Sequence, residues 1–190
     1  VVGSHFFLPA QIVPLVEVSR GPATSNETMD QTVAYWRECG KQPIRIEKDV
    51  PGYVANRLQA ALVREATKLW ADGVATAEDI DKAVKTGFGL RYLVSGPLEQ
   101  RDLAGLDLHV ALATELWPDL DQSVAPHPAV AEMVDRGQAG VKSGHGFHDW
   151  AGQDAEAVRS SRNEALVSAM AKLGLLPRSV DLNSLTETPG

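Results

Sequence analysis

The sequence predicts a mainly α-helical protein that opens on a small β-rich segment. Two observations carry that class. Runs rich in β-branched and aromatic residues occupy Val1 to Phe7, Ile12 to Val18 and Pro43 to Lys48, and no comparable run follows. Beyond Pro51, apolar residues instead recur at spacings of three and four, the period of a helix with one buried stripe. The change of character falls at Asp49-Val50-Pro51-Gly52. It divides the chain into 1–50, a helical 51–150, and a last helix with a polar tail over 151–190.

The first two runs are predicted as strands joined by the turn Leu8-Pro9-Ala10-Gln11, a connection short enough to make them antiparallel neighbours. Gly21-Pro22 ends the second. Ser25 or Asn26 offers an N-cap to a helix over Glu27 to Cys39, with acidic Glu27 and Asp30 near its positive end and Gly40 as its stop. At Pro43 to Lys48, Ile44 and Ile46 alternate with Arg45 and Glu47, the pattern of a strand with one buried face.

Pro51 is predicted as the first turn of a long helix reaching Ala71, with Val54, Leu58, Ala61, Leu62, Ala66 and Leu69 on its apolar stripe. Gly73 ends it. Thr76-Ala77-Glu78-Asp79 has the form of a helix start, and it opens a short helix carrying Ile80, Ala83 and Val84. Gly87-Phe88-Gly89-Leu90 reads as a flexible link. Gly96-Pro97-Leu98-Glu99 begins one helical stretch through Leu103, Leu106, Leu108 and Leu112, which Pro118 halts. Pro126 to Pro128 is a loop before a helix near Ala129 to Arg136, and Gly140 to Trp150 is too rich in glycine to be helical. Asp154 to Leu173 reads as a final amphipathic helix, and the polar residues after it as a disordered tail.

A formal net charge of -7 argues against binding nucleic acid or an anionic membrane surface, both of which such a field repels. No apolar run approaches the roughly 20 residues that cross a bilayer. The single cysteine, Cys39, excludes an internal disulfide and suits a reducing, cytoplasmic compartment. The chain opens on two β-branched residues with no lead-in, as though cut inside a strand.

Within the β-rich segment, His5 and Glu17 stand twelve positions apart on neighbouring predicted strands. A histidine is the side chain whose ordinary pKa, ~6.5, suits proton transfer near neutral pH, and a carboxylate on its second nitrogen selects its tautomer. By spacing alone the two are either such a pair or ordinary strand residues that do no chemistry. No internal repeat and no metal-ligand spacing are present in the sequence.

Four separated motifs bear on the choice. Gly3-Ser4-His5-Phe6-Phe7-Leu8-Pro9 with Leu15-Val16-Glu17-Val18, then Pro51-Gly52-Tyr53-Val54-Ala55-Asn56-Arg57-Leu58, then Gly96-Pro97-Leu98-Glu99 with Asp102-Leu103-Ala104-Gly105-Leu106-Asp107, then Lys142-Ser143-Gly144-His145-Gly146-Phe147-His148-Asp149-Trp150, occur in that order. Together they resemble the 3-hydroxyacyl-CoA dehydrogenase family from His5 to Trp150. The resemblance implies the last strands of an NAD-binding Rossmann domain followed by a helical domain of 6-phosphogluconate-dehydrogenase-like type, which supplies substrate contacts and a homodimer interface. It implies NAD as cofactor and a 3-hydroxyacyl-CoA substrate, as in fatty-acid β-oxidation, with the 3-hydroxyl oxidised to a ketone. It also implies roles: His5 as the general base, Glu17 as its orienting partner, and Asn56 as the amide that orients the substrate oxygen.

Two departures qualify that picture. Leu8 stands where the family usually has asparagine. No Gly-x-Gly-x-x-Gly turn follows a strand, and Gly87-Phe88-Gly89 lies between helical segments instead. The chain alone is therefore expected to be catalytically incomplete, a fragment of a dehydrogenase. Gly89-Leu90-Arg91-Tyr92 further resembles the lambda-crystallin branch, whose members oxidise free sugar acids such as L-gulonate, and carnitine dehydrogenase is another relative. A dehydrogenase of a free hydroxy acid and a non-catalytic helical dimerisation module stand as alternatives. Lys142 and Arg91 are either contacts for an anionic substrate group or solvated surface cations.

Overall fold

Three strands and eight α-helices form among residues 1–176, which the computed structural model of this protein describes. The strands β1 (Val2–Phe6), β2 (Leu15–Arg20) and β3 (Gln42–Ile46) make one sheet in the order β1-β2-β3, with β1 antiparallel and β3 parallel to β2. Between β2 and β3 runs α1 (Asn26–Glu38), whose N-cap is Ser25, its side chain accepting the Thr28 N–H. Gly40, at φ 76°, turns the chain out of that helix toward β3.

The turn between β1 and β2 is longer than the sequence predicts. The Ile12 and Val13 N–H groups both donate to the Pro9 carbonyl, and Pro14 has no N–H for a ladder. The strand therefore starts at Leu15 instead of Ile12. Lys41 Nζ donates to the Ala10 carbonyl at 2.6 Å and fastens this turn to the residue before β3. The antiparallel pairing itself is as expected.

The two faces of the sheet do different work because side chains alternate along each strand. Val16 and Val18 of β2 face α1 and meet Met29 and Val33, all four buried, with Val2, Phe6 and Trp36 packed around them. Each such buried side chain contributes about 1.5–3 kcal/mol relative to exposure. Trp36 also donates its indole N–H to Ser4 Oγ at 2.9 Å, so the α1 face carries a polar tie as well as an apolar core. The opposite face carries His5, Glu17 and Ser19, in register with Ile44 and Ile46 of β3.

Helix α2 (Ala55–Ala71) begins four residues later than the sequence predicts. Gly52 at φ 79° and Tyr53 at φ 46° lie in the left-handed region, so Pro51 opens a turn and not the helix. Helix α3 (Ala77–Thr86) is capped by Thr76, whose hydroxyl accepts the Asp79 N–H. The link after it is helical, not loose: α4 spans Phe88–Arg91. A Cβ at Gly87 would lie 2.4 Å from the Ala83 carbonyl oxygen, and one at Gly89 would lie 2.5 Å from that of Val84. These glycines let α4 close onto the last turn of α3, a packing reason for their presence.

The next predicted helix is two helices, α5 (Pro97–Ala104) and α6 (Leu106–Leu116), broken at Gly105, φ 96°. Glu99 accepts the Gly96 N–H and closes the start of α5. A short 3-10 turn at Trp117–Asp119 follows α6, then α7 (Pro128–Asp135), capped by His127. Residues 140–150, expected to hold no helix, include one 3-10 turn at Val141–Ser143, and Gly140 and Asp149 both bridge to His145. The chain continues as α8 (Ala155–Lys172), capped by Asp154. The predicted disordered tail lies outside the described residues from 177 onward.

By their internal contacts the described residues fall into two compact units, Val1–Gln59 with 154–176, and Ala60–Gln153. Among the described residues the stripe predicted for α2 is only partly covered: Val54, Leu58, Ala61 and Leu62 are exposed, Ala66 and Leu69 are half-buried, and no residue of α2 is fully buried. Leu103 of α5 and Leu106, Leu108 and Leu112 of α6 are exposed as well. No described helix is long and apolar enough to cross a membrane.

Candidate active site

His5 and Glu17 are direct partners across the antiparallel ladder, and their side chains meet: His5 Nδ1 lies 2.8 Å from Glu17 Oε2. The glutamate side chain is fully buried, whereas 38% of the imidazole remains exposed. One end of the pair is thus sealed and the other open. With the carboxylate accepting from Nδ1–H, the neutral imidazole carries its proton on Nδ1 and its lone pair on Nε2.

The second carboxylate oxygen is equally committed. Glu17 Oε1 accepts the backbone N–H of Val54 and of Ala55, each at 2.9 Å. Those are donors at the start of α2, where a helix has no internal acceptors for its first N–H groups and the helix dipole favours an anion. The late start of α2 is what brings them to the sheet. Burial alone raises the carboxyl pKa, but the Ala55 N–H, the bond to His5 and the Val54 N–H outweigh it and hold Glu17 below the usual glutamate range. Glu17 is therefore an ionised hub joining β1, β2 and the first turn of α2.

Tyr53 completes this cluster. Its ring lies 5.5 Å from the His5 ring at an interplanar angle of 49°, and Ser19 Oγ donates to its hydroxyl at 3.4 Å. Ser19 can do so because Gly3 lies opposite it across the ladder: a Cβ on residue 3 would come within 2.4 Å of Ser19 Oγ. Sequence reading alone misses Tyr53 and Ser19 as members of the site. The available signals were the two-residue spacing from Glu17 to Ser19, which puts both on one face, and the glycine opposite.

Asn56 follows Ala55 directly in the first turn of α2 and is exposed. It is thus tethered one residue from a group bonded to Glu17. Leu8 is 78% exposed in the turn after β1. Arg91 and Lys142 are exposed and belong to the other compact unit. Among the described residues, no group of three or more His, Cys, Asp or Glu side chains could hold a metal ion.

A buried carboxylate thus orients a half-open imidazole beside the start of a helix that follows a short sheet, an arrangement chemically suited to proton transfer. Comparison with known proteins shows the family. The chain belongs to the 3-hydroxyacyl-CoA dehydrogenase family: residues 1–50 match the model for its NAD binding domain and residues 52–150 that for its C-terminal domain. It is 35% identical over 167 residues to 5-formyl-3-hydroxy-2-methylpyridine 4-carboxylate 5-dehydrogenase of Mesorhizobium japonicum, covering 88% of this chain and 54% of that protein. It is 38% identical over 151 residues to 3-hydroxybutyryl-CoA dehydrogenase of Clostridioides difficile, covering 79% of this chain and 52% of that protein.

Among solved structures, a 5-formyl-3-hydroxy-2-methylpyridine 4-carboxylic acid 5-dehydrogenase, an NAD+ dependent dismutase, matches with a TM-score of 0.85 at 35% identity, over 91% of this chain and 56% of that one. The chain spans about half the length of the curated relatives it matches first.

Proposed function

We propose that this chain carries the acid–base half of an NAD-dependent L-3-hydroxyacyl-CoA dehydrogenase. The His5–Glu17 pair carries the reading, because it lies within the segment matched to the family's NAD binding domain and is bonded to the start of the segment matched to its C-terminal domain. In oxidation, His5 Nε2 takes the proton of the substrate 3-hydroxyl. Glu17 keeps Nδ1 protonated before that transfer and stabilises the imidazolium after it. Asn56, at the first turn of α2, donates its side-chain amide to the oxygen that becomes the ketone. NAD, when bound, would supply the acceptor for the hydride that leaves the substrate carbon.

The sequence carries no Gly-x-Gly-x-x-Gly turn after a strand, and the spacing at Gly87 and Gly89 is explained by packing of α4 on α3. No residue of this chain is therefore assigned to the NAD pyrophosphate. The helical part is read as a domain of 6-phosphogluconate-dehydrogenase-like type, and the domains as 1–50, 51–150 and 151–190. The exposed apolar residues of α2, α5 and α6 support a homodimer. The single free Cys39 supports a reducing, cytoplasmic setting, and an acyl-CoA substrate supports a role in fatty-acid β-oxidation.

A second reading, a free carboxylic acid as substrate, is favoured by one observation. The pyridine-carboxylic acid dehydrogenase structure matches with a TM-score of 0.85, whereas a 3-hydroxybutyryl-CoA dehydrogenase from Ralstonia eutropha matches with 0.56. The deciding experiment is a paired assay of NADH oxidation by the dehydrogenase carrying this chain, with acetoacetyl-CoA in one arm and a free keto acid or pyridine-aldehyde acid in the other. The first reading predicts kcat/KM at least about tenfold higher for the thioester, a difference of about 1.4 kcal/mol in transition-state binding. The opposite preference would replace it with the second.

A further inference from the structure

Glu17 fixes one corner of the His5 ring and no more. A single bond to Nδ1 sets the tautomer and one distance, but χ1 and χ2 of His5 can still change together at that distance, and that motion swings Nε2 away from any one target. We propose that Tyr53 is a positioning residue of this site: its ring, fastened to β2 through Ser19, fixes the orientation of the His5 imidazole that Glu17 leaves free. The inference rests on the reading of His5 as the base.

Three separate observations support it. The Tyr53 ring lies at a centroid distance of 5.5 Å and a tilt of 49° from the imidazole, within the range of favourable aromatic pairs. The tyrosine is itself anchored, since Ser19 Oγ donates to its hydroxyl, and the buried serine occupies the space where a side chain on residue 3 would stand. Finally, Tyr53 has φ 46°, and among the described residues it is the non-glycine residue with positive φ. Glycine would take that backbone conformation without penalty. The left-handed conformation puts the Tyr53 ring beside His5 while the next two N–H groups reach Glu17. Backbone strain of this kind concentrates at functional sites.

Glu17 and Tyr53 thereby divide the task. The carboxylate chooses which nitrogen bears the proton, and the tyrosine ring chooses where the other nitrogen points. Near-attack geometry is sensitive to displacements of this size, so a ring that swivels would hold the correct tautomer and still transfer protons slowly.

The test uses this chain with isotope-labelled histidine, without substrate or NAD, and reads the tautomer and ring order of His5 by NMR. In Tyr53→Gly the backbone at 53 suits the new residue, so the native amide spectrum is expected to persist, and the Nδ1-protonated tautomer with it. The order parameter of the His5 Cε1–H bond is expected to fall from about 0.85 to below about 0.6. Tyr53→Phe and Ser19→Ala each remove one end of the hydroxyl tie. They are expected to give equal, smaller losses, with no further loss in the double variant. An order parameter unchanged in Tyr53→Gly, or losses from Tyr53→Phe and Ser19→Ala that simply add, would overturn the proposal. The two near-isosteric variants decide the matter by themselves should Tyr53→Gly not fold. Because no turnover is read, Tyr53 can fail this test while the dehydrogenase reading stands. An inactive dehydrogenase with an ordered His5 ring would count against that reading alone.

Discussion

Glu17 Oε1 accepts the Ala55 N–H at 2.9 Å, which makes the carboxylate that orients His5 also the cap of α2. The position of Asn56, the next residue, is therefore tied to the same buried charge as the imidazole. A change at Glu17 acts on both the tautomer of His5 and the start of α2.

Glu17→Gln separates these two effects. The amide oxygen can still accept the Val54 and Ala55 N–H groups, which leaves the NH2 facing His5 Nδ1. Two donors cannot share that contact, so the imidazole must move its proton to Nε2. Turnover is expected to fall by about 10²–10⁴-fold, while stability falls less than in Glu17→Ala because both backbone donors keep an acceptor. Glu17→Ala instead strands two backbone donors and should cost about 2–4 kcal/mol of unfolding free energy. Steady-state kinetics and urea denaturation of both variants check the split.

Acid should unfold this chain partly through Glu17. Its folded-state pKa lies below the ordinary glutamate value because of the Ala55 N–H, His5 and the Val54 N–H, which together outweigh burial. A lowered carboxyl pKa means that its contribution to stability is fully present above the ordinary glutamate range and is lost as pH falls through that range to the folded value. Unfolding free energy measured from pH 6 down to pH 2 should fall less steeply in Glu17→Gln than in the unaltered chain.

Asn56 offers a test of substrate orientation without a structural penalty. It is exposed on α2, so Asn56→Ala should alter stability by no more than about 0.5 kcal/mol. If its amide acts on the reacting oxygen, kcat and kcat/KM fall together by about 10–10²-fold. A rise in KM alone would assign it to uniform binding.

The uncovered apolar faces predict self-association. Val110→Glu on α6, where the valine is 63% exposed, should convert a dimer to a monomer in light scattering at micromolar protein without lowering helical circular dichroism. An unchanged mass would move the interface elsewhere.

The sequence makes the outline of this protein readable because its outline depends on local rules. Ser25, Thr76 and Asp154 cap helices as hydroxyl and carboxylate side chains do, and the alternation around Ile44 and Ile46 marks a one-sided strand. What it leaves hidden depends on tertiary contacts. The start of α2 moves from Pro51 to Ala55 because Gly52 and Tyr53 take left-handed conformations and Glu17, far away in sequence, supplies the cap. Likewise, Gly87-Phe88-Gly89-Leu90 reads as a flexible link until the α3 carbonyls beneath its glycines are seen. The His5–Glu17 pair is intermediate: the spacing allows it, and the ladder register brings the two side chains together.

The role of His5 is tested most directly by the rate of acetoacetyl-CoA reduction in the dehydrogenase carrying this chain with His5→Ala. kcat is expected to fall by at least about 10²-fold, with NADH affinity and circular dichroism unchanged. A kcat within about twofold of the unaltered enzyme would contradict His5 as the acid–base residue.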